Sequence, residues 1–229
     1  MAINLKSLQT RTLSALVLIP VVLAAVWFGG WPFYALIAVL ACICVHEWLG
    51  MARKTERVVW HSVWGMVYIG IGFAACLFVR VIGWERALIL LVIVWSTDIG
   101  AYFCGSVIGG KKLAPQISPN KTWAGFLGGG LIAVILGGIL CVLLLLPYTP
   151  YTIPYSIALL LAPFIVFVSI MGQLGDLLES WMKRAAGVKD TGTIIPGHGG
   201  LLDRVDSLLL AAPAMCVSFF VFTRFFINI

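Results

Sequence analysis

An all-α, polytopic integral membrane fold is what this sequence predicts, and three observations predict it. First, 62% of the 229 residues are hydrophobic and only 10% are charged, where soluble domains carry about 25% charged residues. A water-soluble core of this size cannot hide that much apolar surface, so lipid must cover the remainder. Second, seven apolar runs approach the roughly 20 residues that a membrane helix requires. Third, the basic residues gather on alternate connections between those runs, the pattern of a multi-span chain obeying the positive-inside rule.

The elements follow in order. Residues 13–28 form the first apolar run, preceded by Lys6 and Arg11. This resembles a signal peptide, but no small-residue cleavage site precedes Trp27 and Phe28, so a retained span is expected. The Gly29-Gly30 turn leads into residues 31–49, and the two runs read as a hairpin. Further spans are expected at 63–82, 87–108, 123–146, 153–178 and 205–227, about seven in all. With the N-terminus cytoplasmic, the inside segments hold every one of the 15 basic residues except Arg80, Arg86 and Arg224. The segment around 147–154 has no charge. A missed span would scramble this alternation. Residues 1–86 are expected to form an N-terminal membrane region of about three spans, and 87–229 a catalytic membrane region with cytoplasmic loops at 109–122 and 179–204.

The net charge of +6 fits topology and anionic headgroups, or an anionic substrate. No basic patch with interleaved aromatics and no finger or RNA-binding motif points to nucleic acid. Six cysteines (Cys42, Cys44, Cys76, Cys104, Cys141 and Cys216) lie in apolar runs without CxxC spacing and read as packing residues. The spacings Gly105–Gly109 and Gly125–Gly129 read as helix-packing surfaces.

Chemistry is expected where acids meet the membrane boundary. Asp98 lies within a span, Asp176 and Glu179 end the sixth, and Asp203 and Asp206 open the seventh. An acid at membrane depth costs about 2.5–3.5 kcal/mol on insertion scales. Asp176, Ser180 and Lys183 share a helix face by spacing, as do Asp203 and Asp206. Carboxylates with few His or Cys residues nearby suit a hard cation such as Mg²⁺. Lys183, Arg184, Lys189 and Arg204 can neutralise phosphate. The turn Pro196-Gly197-His198-Gly199-Gly200 precedes a helix start, where backbone N–H groups and the helix dipole favour an anion. Acids for a metal, bases for phosphate and a glycine turn together suggest phosphoryl or nucleotidyl transfer. Structural readings compete at single positions: Asp203 as a helix cap, Glu179 as the i, i+4 partner of Lys183, His198 as a solvated loop residue, and Glu47, beside His46 and Trp48, as a structural acid.

The segment Ser180-Trp181-Met182-Lys183-Arg184, then Lys189-Asp190, then Pro196-Gly197-His198-Gly199-Gly200-Leu201-Leu202-Asp203-Arg204-Val205-Asp206 resembles the long and specific signature of the phosphatidate cytidylyltransferases (CDP-diacylglycerol synthases). Thr97-Asp98, Gly100-Ala101-Tyr102, Ser118-Pro119, Lys121-Thr122-Trp123 and Gly175-Asp176 resemble further family segments. The resemblance runs from about Asp98 to Asp206; the first three spans match only in character. Ala124 departs from it, standing where many members carry an acidic or amide residue, and the chain is shorter than many members.

The resemblance implies that CTP and phosphatidate give CDP-diacylglycerol and pyrophosphate, with Mg²⁺. It makes Asp176 and Asp203 the first choices for metal ligands, with Asp206 and Asp98 second. Asp176, Asp203, Asp206, Lys183 and His198 are the catalytic candidates. Ser118, Lys121, Ser180, Arg184, Lys189, Gly199, Gly200 and Arg204 would hold triphosphate or lipid phosphate. It implies an enzyme integral to the inner or plasma membrane with its site facing the cytoplasm, and leaves room for a homodimer. Two other readings compete: a CTP-dependent polyprenol or lipid kinase, against which the 196–206 stretch argues, and a cation-coupled transporter using Asp98. A CDP-alcohol phosphotransferase lacks support, because no DGxxAR motif is present.

Overall fold

A computed structural model describes residues 5–145, 155–192, 194 and 199–227, with side chains from residue 16 onward apart from 155–160 and 225–227. Seven helices dominate it: α1 (Leu5–Phe28), α2 (Gly30–Ala52), α3 (Val58–Ile82), α4 (Trp84–Val107), α5 (Trp123–Leu145), α6 (Tyr155–Ala185) and α7 (Leu202–Ile227). Helices α2 to α7 are each long and apolar enough to cross a membrane, and the described side chains of α1 form a shorter apolar stretch, Leu16–Phe28. Large apolar side chains such as Trp31, Ile71, Phe103, Leu131 and Phe220 are exposed, as lipid-facing residues should be. The chain is an all-α polytopic membrane protein.

Helices run past the apolar stretches that announce them. α3 begins at Val58, α4 at Trp84, and α6 continues to Ala185, so residues 179–185 are the last two turns of a helix where a loop is expected. Hydropathy marks only the lipid-embedded part of a helix, whereas its hydrogen-bond ladder continues into polar sequence until a terminator stops it. Gly187 is that terminator. It adopts φ 66°, and the Gly187 N–H donates to Arg184 while the Val188 N–H donates to Lys183, the Schellman closure of a helix end.

The connection at 109–122 also carries structure. Strand β1 (Lys112–Ala114) pairs antiparallel with β2 (Ser118–Thr122), with Lys112 opposite Thr122 and Ala114 opposite Ser118. Residue Gly109, at φ 67°, ends α4 with open space around it and is not a packing glycine.

The chain divides into two compact units. Met1–Gly70 and Met182–Val205 make the first. Its interior includes Trp48, Met51, Ile69, Met182 and Leu202. Trp48 donates through Nε1 to the His61 carbonyl at 2.8 Å and packs against Trp64 and Tyr68. Ile71–Trp181 and Asp206–Ile229 make the second, with Val79, Ile89, Ile93, Val168 and Leu209 buried. In it α4 and α5 approach backbone to backbone. A Cβ added at Gly125 would lie 2.6 Å from the Ala101 carbonyl oxygen, and one at Gly129 2.7 Å from that of Thr97. The Gly125–Gly129 pair is thus a helix-packing surface, and Gly105, whose Cβ would meet the Gly125 Cα at 3.6 Å, belongs to it.

Candidate active site

The second unit gathers polar groups around Asp176. Lys121, near the end of β2, places its Nζ 2.6 Å from Asp176 Oδ2 on α6. Its neighbour Thr122 is buried and caps α5: Thr122 Oγ1 accepts the Gly125 N–H at 3.0 Å, the N-cap-to-N3 bond of a helix start. The backbone bearing Lys121 is therefore fixed from both sides, by strand pairing before it and by the cap after it. Asp176 Oδ1 also accepts the Ser180 hydroxyl at 3.4 Å, as the i, i+4 spacing predicts. On α4, Asp98 Oδ1 accepts the Ser207 hydroxyl at 3.4 Å, and the Asp98 carboxylate feels both Asp176 and Lys121 electrostatically. Asp206 Oδ1 accepts the N–H of Ser207 at 2.7 Å.

The first unit holds a second, tighter acid–base pair. Lys183 Nζ donates to Asp203 Oδ1 at 2.7 Å, and their side chains are only 13% and 10% exposed. Asp203 Oδ2 accepts three more bonds, from the Thr191 N–H at 3.1 Å, the Thr191 hydroxyl at 3.1 Å and the Gly200 N–H at 2.9 Å. Asp203 thus ties Thr191 and Gly200 to the first turn of α7, and the Gly200 amide is directed at it. Glu47 of α2 joins this group by accepting the Thr191 hydroxyl and the N–H groups of Leu201 and Leu202.

The residues expected from sequence therefore fall into two sets. Lys121, Asp176, Ser180, Asp98 and Asp206 belong to the second unit, and Lys183, Asp203, Gly199 and Gly200 to the first. Arg184, Lys189 and Arg204 are exposed. Ser118 is half-buried on β2. His198 lies outside the described residues. Sequence reasoning missed Thr191 and Ser207, although Ser207 follows Asp203 by one helical turn, the spacing that could have found it.

The two pairs differ in what they can do. The Lys121 and Asp176 side chains are 24% and 33% exposed, but the Lys121 Nζ itself is buried, so the ammonium meets Asp176 out of contact with solvent. Lys183 is held more firmly, as a fixed charge of known position. For a divalent cation, no three His, Cys, Asp or Glu side chains converge among the described residues. Magnesium does not require such a cage; it takes one or two carboxylates and completes its shell with water and substrate phosphates. Asp98 and Asp176, with the Ser180 and Ser207 hydroxyls, offer hard oxygen donors of that kind.

The chain matches the model of the cytidylyltransferase family over residues 9–83 and 54–222. It is 37% identical to the phosphatidate cytidylyltransferase of Brucella suis biovar 1 (strain 1330), over 91% of this chain and 92% of that protein. The enzyme of the same name from Bacillus subtilis (strain 168) is 44% identical over 79% of this chain and 55% of its own length. The Rickettsia bellii (strain RML369-C) counterpart is 36% identical over 91% and 89%. Identity at that level over nearly the whole length, with both lysine–aspartate pairs inside the matched region, makes this membrane protein a member of the cytidylyltransferase family.

Proposed function

We infer that the chain is a membrane nucleotidyltransferase that makes CDP-diacylglycerol and pyrophosphate from CTP and phosphatidate in phospholipid biosynthesis. One observation carries this reading: the segment containing Asp176, Lys183 and Asp203, with its ion pairs formed, lies in a chain 37% identical along 91% of its length to a phosphatidate cytidylyltransferase.

The chemistry asks little of the protein beyond placement and charge. A phosphatidate oxygen attacks the α-phosphorus of CTP, the new P–O bond forms, and the bond to the β-phosphate breaks to release pyrophosphate. The attacking phosphate monoester is largely dianionic near neutral pH, so no strong general base is needed. Two anions must be brought together and the leaving pyrophosphate's charge balanced. Lys121 exchanges Asp176 for phosphate oxygen, Lys183 holds a fixed positive charge, and the exposed Arg184, Lys189 and Arg204 collect the anionic substrates.

Magnesium belongs to the proposal as the cofactor; when bound it would screen the triphosphate. Asp98, Asp176 and Asp206, all of the second unit, are the carboxylates assigned to it, while Asp203 is assigned to Lys183. We further assign seven spans, a cytoplasmic N-terminus and polar segments facing the cytoplasm across the inner or plasma membrane. The distribution of basic residues supports this. Reporter fusions at the two termini should read opposite faces.

The test is turnover of radiolabelled CTP by purified protein with phosphatidate, with and without Mg²⁺. CDP-lipid and pyrophosphate are expected, only with the metal present. CDP and a phosphorylated lipid would make the protein a kinase instead, and ion flux in proteoliposomes without CTP turnover would make it a transporter.

A further inference from the structure

Glu47 sits in an apolar helix, is only 3% exposed, and has partners drawn from a segment about 150 residues away in sequence. Its Oε1 accepts the Leu201 N–H at 3.0 Å. Its Oε2 accepts the Leu202 N–H at 2.8 Å and the Thr191 hydroxyl at 3.0 Å. Leu202 is the first residue of α7, so these are the N–H groups that a helix start leaves without internal partners. A carboxylate there also meets the positive end of the helix dipole. α7 is therefore capped by a side chain from α2, far from it in sequence.

Two glycines make this approach possible. A Cβ at Gly192 or at Gly200 would lie 2.6 Å from a Glu47 carboxylate oxygen. Both belong to the 191–200 stretch, and neither is needed there for a left-handed φ. The lack of a side chain lets the backbone close on the acid.

Thr191 connects this anchor to the acid–base pair. Its one hydroxyl proton faces Glu47 Oε2 at 3.0 Å and Asp203 Oδ2 at 3.1 Å, and Asp203 in turn holds Lys183. A continuous hydrogen-bonded line thus runs from Glu47 through Thr191 and Asp203 to Lys183, within the first unit.

We propose that Glu47 is a positioning residue, whose carboxylate anchors Thr191 and the Leu201–Leu202 start of α7 and through Thr191 sets Asp203 and Lys183 for transfer. This rests on the reading that Asp203 and Lys183 serve nucleotidyl transfer. An isosteric Glu47→Gln side chain presents an amide NH₂ to at least one of the three donors, so one backbone N–H loses its acceptor while packing is kept.

The experiment compares wild type, Glu47→Gln, Thr191→Val, Thr191→Ser and the Gln/Val double variant in nanodiscs. Amide hydrogen exchange over residues 186–204 and kcat and KM per folded molecule are read for each. The expected result for Glu47→Gln is at least tenfold faster exchange at Leu201 or Leu202, whichever N–H faces the new amide. Its kcat should fall about 10–100-fold, the scale on which small displacements cost rate, with a smaller change in the KM for CTP. Thr191→Val should behave similarly, Thr191→Ser should retain activity, and the double variant should cost no more than the worse single change. Unchanged exchange overturns the anchor. Faster exchange with kcat within twofold of wild type overturns the positioning role, leaving Glu47 structural. Should Glu47→Gln not fold, the Thr191→Val and Thr191→Ser pair decides, and equal activity in the two overturns the proposal. A wild-type protein without CTP turnover defeats the functional reading instead, with the exchange data still deciding the anchor.

Discussion

Replacing Asp203 by Asn is the most informative single perturbation of the acid–base machinery. The carboxylate accepts four bonds, one from Lys183 on Oδ1 and three on Oδ2. An amide has one oxygen, so its NH₂ must face either the lysine or the three remaining donors. The better orientation keeps the oxygen toward Thr191 and Gly200 and turns the NH₂ on the Lys183 ammonium. That forfeits a charge-assisted bond, about 1.5–3 kcal/mol, at an ammonium whose side chain is only 13% exposed. Breaking one side of a buried pair costs about 3–5 kcal/mol. If about 3 kcal/mol of this is felt in the transition state, kcat/KM falls about 100-fold. Thermal unfolding in detergent and CTP turnover should both register the change. Lys183→Met should be comparably destabilising, and Lys183→Met with Asp203→Leu should lose less stability than the two single losses combined, while staying inactive. Single variants with wild-type thermal midpoints, or strictly additive losses, would refute the claim that these residues form one coupled pair.

Lys121→Met should lower kcat/KM for CTP about 10-fold or more in the turnover assay. It should also lower the thermal midpoint, because the Lys121 Nζ is buried against Asp176 and its loss leaves the carboxylate without that cation. Gly125→Ala should cost about 1–3 kcal/mol, read as a lowered midpoint, since its Cβ would sit 2.6 Å from the Ala101 carbonyl oxygen and force α4 from α5. Thr122→Ala should cost about 1 kcal/mol through loss of the α5 cap, and Thr122→Ser should restore it; equal midpoints for the two would remove the capping role.

The helices were legible because lipid imposes a simple length and composition on each, and composition is a local property. Their ends were not. α6 continues from Leu178 to Ala185 through Glu179, Lys183 and Arg184, residues whose polarity says only that they have left the hydrocarbon. The β1–β2 hairpin was invisible because Lys112–Ala114 and Ser118–Thr122 show no alternation of apolar and polar side chains, and with five residues at most the strands carry little signal. At the site, spacing correctly joined Asp176 to Ser180, because one helical turn fixes that contact. It had no access to Lys121–Asp176 or to Glu47–Leu202, partners 55 and 155 positions apart that only the folded chain brings together. Glu47 was read from sequence as a structural acid, which its buried capping contacts agree with; what spacing lacked was the segment it holds.

The length of α6 sets a vertical scale. Its 31 residues, at about 1.5 Å each, extend roughly 46 Å, while the hydrocarbon layer is about 30 Å thick. The surplus is some ten residues of helix, with Pro163 within the apolar part, and the helix terminates just beyond Lys183 and Arg184. On the topology proposed above, those two cations stand on a helical turn near the lipid phosphates rather than on a pliable tether. The height at which the enzyme meets its lipid should consequently track bilayer thickness, and lipids with longer tails should sink the cations toward oil and slow the reaction.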